Sequence, residues 1–278
     1  MPTKLTPRGI PATFFDQQAG TTCAWLGMAG LIVNARGTIM MIDPLITVVE
    51  RDGIRRSETD LPLLIPFLPL EEKSVPRVDV VMYTHAGDDH FGRLTPQALD
   101  RRLAPVFLAP PPVLARLREM GVAGSRLMPA RDFESSAIGN AKVEITPALH
   151  DHNPVNPWKR GDCCGFIIRT PDGAIWHPGD TRLIPELLEF RGVDVLLWDV
   201  AYQVHTHLGP DGSAALARTC GAKVYLAYHY GTFEAPEDGG YRRALQSEPD
   251  DSLPFAAGLP GEFRVVEPGE VVALPLAV

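Results

Sequence analysis

Val78-Asp79-Val80-Val81-Met82-Tyr83-Thr84-His85-Ala86-Gly87-Asp88-Asp89-His90 decides how the rest of this chain reads. Its first seven residues form a short, mostly apolar run, the pattern of a buried strand. The residues from His85 to His90 then place two histidines and two aspartates directly past its C-terminal end. Ligand sites in α/β proteins commonly lie in such loops, at the carboxyl edge of a strand. Imidazole and carboxylate together suit zinc, manganese or iron. A loop can curl these side chains around one point, which a straight strand cannot. By itself the loop could equally cap a helix through Asp88 or Asp89, so the flanking sequence decides.

Working outward, three more potential ligands each end a strand-like run. His150 follows residues 143–149, Asp180 follows 175–179, and His229 follows 224–228. A lone His or Asp after a strand is ordinarily a satisfied surface or core group. Its repetition at three strand ends points to convergence on one site.

The remaining elements surround these. Residues 22–26, 30–33 and 38–42 read as strands, the last two separated by the turn Asn34-Ala35-Arg36-Gly37. The charged, Pro-rich stretch 48–76 reads as a surface loop or flap. Helices are predicted over 98–102, 111–120 (stopped by Gly121) and 183–190, with another capped by Asp211 and running to Cys220. Further strands are predicted at 106–108, 142–149, 193–199 and 223–228. Residues 165–170 and 174–177 form a hairpin about Pro171-Asp172-Gly173. Residues 263–266 and 271–274, joined through Pro268-Gly269, read as a closing hairpin. Strands first, then strand–helix alternation, twice over, predict two packed sheets with helices outside, an α/β sandwich.

Composition narrows the function. The 278 residues are ample for a buried core, and the net charge of −8 argues against a general nucleic-acid binder. Cys23, Cys163, Cys164 and Cys220 include no C-x-x-C pair, so a thiolate zinc site is not expected. Reduced thiols in a cytoplasmic protein are the simplest reading. No signal-peptide pattern and no membrane-spanning run is present. With no internal repeat and no domain boundary, one domain over 1–278 is expected.

The ordered set of residues resembles the metallo-β-lactamase superfamily. Its hallmark is T-H-x-H-x-D-H, then a lone His, then G-D-T, then a late His. This chain has Thr84-His85-x-Gly87-x-Asp89-His90, His150, Gly179-Asp180-Thr181 and His229. The family's early Asp matches Ile42-Asp43-Pro44. The resemblance runs from about Trp25 to Leu274. The string His229-Tyr230-Gly231-Thr232-Phe233, with Glu267-Pro268-Gly269-Glu270 and the segment from Trp25 to Gly30, is similar to the branch containing L-ascorbate-6-phosphate lactonase.

That resemblance implies a four-layer αββα sandwich holding one or two divalent ions, zinc or manganese ahead of iron. His85, His150 and Asp180 would hold the first ion. Asp89, His90, Asp180 and His229 would hold the second, with Asp180 bridging. A metal-bound hydroxide would be the nucleophile, Asp89 would orient it, and Asp43 would support the ligand loop by hydrogen bonding.

Gly87 breaks the pattern, standing where the family has its second His. Three explanations compete: a single ion in the second site, completion of the first site by a neighbour such as Asp88 or His152, or loss of catalysis with the fold kept. Six of the seven ligands remain, which favours the first two together. Beyond the ligands, His152, Trp158, Lys159 and Arg160 read as a substrate lip, an aromatic wall with a cationic hook, or as an ordinary exposed loop. By the same resemblance His207, two residues past His205, stands where this branch has substrate or proton-transfer groups, or is a surface His. His177 reads as structural.

The function expected is hydrolysis of a small ester, lactone or phosphodiester. The partner is a small, anionic molecule; neither nucleic acid nor membrane is expected, and a homo-oligomer is compatible with the chain. A phospholipase-D-like phosphodiesterase at membranes is the enzymatic alternative, motivated by the apolar run Leu61 to Leu70. A non-catalytic metal- or ligand-binding protein is the other, motivated by Gly87.

Overall fold

The computed structural model describes residues 5–151, 158–201, 206–233 and 248–275. Strands β1 (Thr21–Gly27), β2 (Gly30–Ala35) and β3 (Thr38–Ile42) form an antiparallel meander. The β2–β3 turn needs left-handed backbone at Arg36 (φ 48) and Gly37 (φ 93), and Asn34 Oδ1 accepts the Gly37 N–H at 2.6 Å. The stretch read as a flap carries a hairpin, β4 (Val48–Arg51) and β5 (Ile54–Ser57). Leu61, Ile65, Leu68 and Leu70 beyond it are buried, while Leu64 and Phe67 are exposed.

Strands β6 (Val80–Met82), β7 (Val106–Ala109) and β8 (Leu127–Pro129) then extend the first sheet from β3, all in parallel. Helices α1 (Leu94–Leu103) and α2 (Pro111–Glu119) are the crossovers. Alternation along the strands sorts their two faces. Ile39, Met41 and Val81 pack with Leu99, Val113, Leu114 and Leu117 of the helices. Met40, Ile42, Val80 and Met82 face a second sheet. Each such side chain contributes about 1.5–3 kcal/mol when fully buried.

The second sheet mirrors that plan. Strands β9 (Ser135–Ile138), β10 (Ala141–Pro147), β11 (Cys164–Thr170) and β12 (Gly173–His177) are antiparallel. Strands β13 (Val195–Asp199), β14 (Val224–Tyr228) and β15 (Glu262–Arg264) continue in parallel, and α3 (Gly209–Cys220) packs on β13. Two facing mixed sheets with helices outside make the αββα sandwich expected.

Three local expectations are corrected. Residues 183–190 form only a short 3-10 turn, Pro185–Glu189, closed by the Phe190 N–H bonding back to Leu187 O. Asp211 lies inside the first turn of α3 rather than capping it, since the helix already begins at Gly209. The closing segments are not a hairpin. β15 adds to β14, whereas β16 (Val271–Leu274) crosses to pair antiparallel with β1 in the first sheet.

Candidate metal centre

Register brings the centre together. β3 and β6 pair Ile42 with Met82, so Asp43 and Tyr83-Thr84 leave the sheet side by side. β13 and β14 pair Asp199 with Tyr228, setting Asp199 beside His229. His150 and Asp180 follow the ends of β10 and β12 in the same manner. The chain turns sharply at two of these exits, with Asp43 at φ 44 and His229 at φ 71. Left-handed backbone is costly for a His and persists only where surroundings enforce it. The His229 N–H donates to Met28 O at 3.0 Å and holds it there.

The structure brings together every predicted ligand. Donor atoms of Asp89, His90, Asp180 and His229 lie within 4.8 Å of one another, as do those of His85, His150 and Asp180. Asp180 is common to both groups. His90 Nε2 stands 3.1 Å from Asp180 Oδ2, and His229 Nε2 stands 3.4 Å from Asp89 Oδ2. These groups are almost entirely out of solvent, with Asp89 the most open at 12% side-chain exposure. His90 Nε2, Asp180 Oδ1 and His229 Nδ1 are buried without completing a hydrogen bond. Orphaned buried polar atoms each cost about 1–3 kcal/mol. A divalent cation between them would satisfy all three, so the residues present fit a metal.

The electrostatics agree. Burial alone would push His229 down, but Asp180, Asp199 and Asp89 outweigh it and raise it to about 10. Burial likewise opposes protonation of His90, and Asp180, Asp89 and Asp43 reverse it. Burial would raise Asp180, but His90, His229 and His207 hold it well below the usual carboxylate range. His85 and His150 are lowered, chiefly by burial, and stand ready as neutral ligands. An incoming ion therefore displaces protons from His90 and His229 as it binds.

Asp43 supports the ligand loop as expected. Its Oδ1 accepts the Thr84 N–H at 2.7 Å, and its Oδ2 accepts the Thr84 hydroxyl at 2.6 Å and lies 2.8 Å from His90 Nδ1. This pins the His90 ring with Nε2 facing the centre. Asp43→Asn keeps the size and tolerates φ 44, but removes the negative charge behind the ring. Metal affinity should fall about 10–100-fold, read by chelator competition. An unchanged affinity would reduce Asp43 to a purely structural role.

Asp199 is not among the expected site residues. Fully buried, its Oδ2 lies 3.3 Å from His207 Nδ1 and its Oδ1 lies 3.5 Å from His229 Nδ1. The only available signal was its position at the end of β13, like Asp43 at the end of β3. His207 is itself buried, with Nε2 3.6 Å from Asp180 Oδ2.

The proposed substrate lip divides. Trp158 is buried, with its ring 5.8 Å from that of His85 in an edge-on contact. Lys159 is exposed. Arg160 is not the free cationic hook expected, because its guanidinium pairs with Glu186 at 2.8 Å and Asp132 at 3.6 Å. His152 and His205 lie outside the described residues. Asp88 does not complete the first site; it is exposed and lines a separate cavity of about 470 Å³ with Glu58, Phe91 and Arg116. His177 is structural, its Nε2 2.7 Å from Ala29 O.

Paired mixed sheets with a His/Asp centre at their strand ends are the architecture of the metallo-β-lactamase fold. Residues 39–230 match the family model described as beta-lactamase superfamily domain, and the chain belongs to that superfamily. A relative from Pyrobaculum arsenaticum, named UPF0173 metal-dependent hydrolase, is 26% identical over 258 residues, covering 90% of this chain and 98% of its own. Among solved structures, the metallo hydrolase Igni18 from Ignicoccus hospitalis has a TM-score of 0.68 at 20% identity, covering 93% of this chain and 100% of that one. An isothiocyanate hydrolase from Delia radicum gut bacteria also gives 0.68, at 16% identity and with coverage of 91% and 99%. Both structural likenesses speak for the fold.

Proposed function

We infer that this protein hydrolyses a small, anionic ester, lactone or phosphodiester, in the manner of the branch that contains L-ascorbate-6-phosphate lactonase. The observation that carries this reading is the pair of buried His/Asp donor groups sharing Asp180. His85, His150 and Asp180 would hold one divalent ion and Asp89, His90, Asp180 and His229 the other. Such an ion polarises the scissile oxygen and acidifies water to a pKa of about 7.

The chain's own residues supply the rest. Asp89, the most open of the carboxylates, accepts a hydrogen bond from the attacking water and aims it. Its charge is secured because His90 and His229 outweigh the burial that would protonate it. Trp158 walls the cleft beside His85 and excludes bulk water, and exposed Lys159 at the lip attracts an anionic substrate. Leu61, Ile65, Leu68 and Leu70 are buried, and of the large apolar side chains in that run only Leu64 and Phe67 are exposed, two separate side chains rather than a continuous membrane-facing patch.

The test is a screen of zinc- and manganese-loaded protein on p-nitrophenyl acetate, a γ-lactone and bis(p-nitrophenyl) phosphate. Turnover on at least one class should vanish with chelator and return with metal. No metal-dependent turnover on all three would overturn the reading and leave a non-catalytic metal-binding role.

A further inference from the structure

The loop ahead of α3 holds a buried imidazole, His207, that is not among the family's metal ligands. The geometry points to His207 as a metal ligand, replacing the imidazole missing at Gly87. This rests on the metal-centre reading above and deepens it.

Orientation comes first. Asp199 Oδ2, 3.3 Å from His207 Nδ1, fixes that nitrogen on the outer side and presents Nε2 inward. The arrangement repeats what Asp43 does for His90 at 2.8 Å and what Thr206 O does for His150 Nδ1, also at 2.8 Å. A ligating His characteristically has its second nitrogen held by a carboxylate or carbonyl. His207 thus has the outer support of a ligand, from a buried carboxylate whose other oxygen lies 3.5 Å from His229 Nδ1 and accepts the Ala201 N–H at 2.9 Å.

Distance comes second. His207 Nε2 lies 3.6 Å from Asp180 Oδ2. That is too long for a hydrogen bond. Two donors each about 2.0–2.2 Å from one cation lie roughly 3–3.7 Å apart at tetrahedral to trigonal angles. The His207 ring lies 5.2 Å from that of His150 and 5.1 Å from that of His229, and its donor atom also groups with those of Asp199 and His229; of the two groups that share Asp180, only the one containing His150 lacks an imidazole. His207 is therefore placed to join the ion that His150 and Asp180 hold.

Space comes third. A Cβ built on Gly87 would meet His85 Nε2 at 2.5 Å, so the His85 ring occupies the room the family's second His would need. The gap cannot be refilled from its own position unless His85 moves. Asp88, exposed and facing another cavity, does not fill it either. A ligand from a different loop is the remaining source among the described residues.

The experiment is zinc titration of apo-protein by chelator competition, run on wild type, His207→Ala, His207→Gln and Asp180→Ala. Zinc-edge anomalous diffraction of the loaded wild type accompanies it, so the outcome does not depend on a variant folding. Two ions should bind wild type, and both His207 variants should hold one of them at least about 100-fold more weakly. An anomalous peak should lie within about 2.3 Å of His207 Nε2. Unchanged stoichiometry and affinity in both His207 variants, or no peak in bonding reach of Nε2, overturns the assignment. If Asp180→Ala loses its zinc in that same experiment, the metal centre itself stands. If Asp180→Ala keeps all its zinc, the centre falls and this inference with it.

Discussion

Asp180→Ala should empty the metal centre and abolish hydrolysis together. Asp180 is the carboxylate common to both donor groups. Its oxygens lie 3.1 Å from His90, 3.6 Å from His207 and 3.8 Å from His229. Removing it takes a ligand from each ion at once. It also leaves His90 and His229, both pushed toward the protonated state, without their main counter-charge. A metal supplies several kcal/mol of transition-state stabilisation, and each 1.36 kcal/mol is tenfold in rate, so the loss should be about 10³-fold or more. Elemental analysis of the purified variant and initial rates on the best substrate decide it. Full metal content in Asp180→Ala would show the ligand assignment to be wrong.

Gly179→Ala should be nearly as damaging without touching any ligand. Gly179 sits at φ +68, and a Cβ there would meet the backbone carbonyl of Cys164 at 2.5 Å and Thr84 Cβ at 3.1 Å. A left-handed alanine costs about 1–2 kcal/mol by itself. The clash adds to this, because a strand carbonyl is not a flexible tip that can swing aside. A total of about 3 kcal/mol would lower the melting temperature by roughly 5–10 °C. The displaced backbone carries Asp180 on one side and presses on Thr84, which holds the Asp43–His90 contact, on the other. Metal content should therefore fall as well. Wild-type melting temperature and wild-type zinc content would mean that the loop has slack the structure does not show.

Much of the centre could be read in advance because its ligands sit at places the sequence marks. His85, His150, Asp180 and His229 each terminate an apolar run, and a run followed by a polar residue is a local signal. Asp199 ends a run too, but with no motif around it nothing separated it from a solvated aspartate. Its role depends on the Asp199–Tyr228 register, a pairing between strands far apart in the chain. The closing strands failed for a related reason. Pro268-Gly269 between two short apolar runs is good hairpin chemistry, yet each run found an unpaired edge on a different sheet. Glu58 shows the same limit. It caps α1 through the N–H groups of Leu94 and Thr95 from a hairpin 36 residues away, and no local pattern announces such a cap. Arg160 looked free only because its partners, Asp132 and Glu186, are distant in sequence.

The two sheets each contribute part of one donor set, and Asp89 and His229 stand 140 residues apart. A ribosome must therefore complete most of the chain before any ion can be gripped by the full set. The first half can offer only His85, Asp89 and His90 while Asp180 and His229 are still untranslated. Capture of an ion by the full set would thus be a late event in biosynthesis, after the growing first sheet has found its mate.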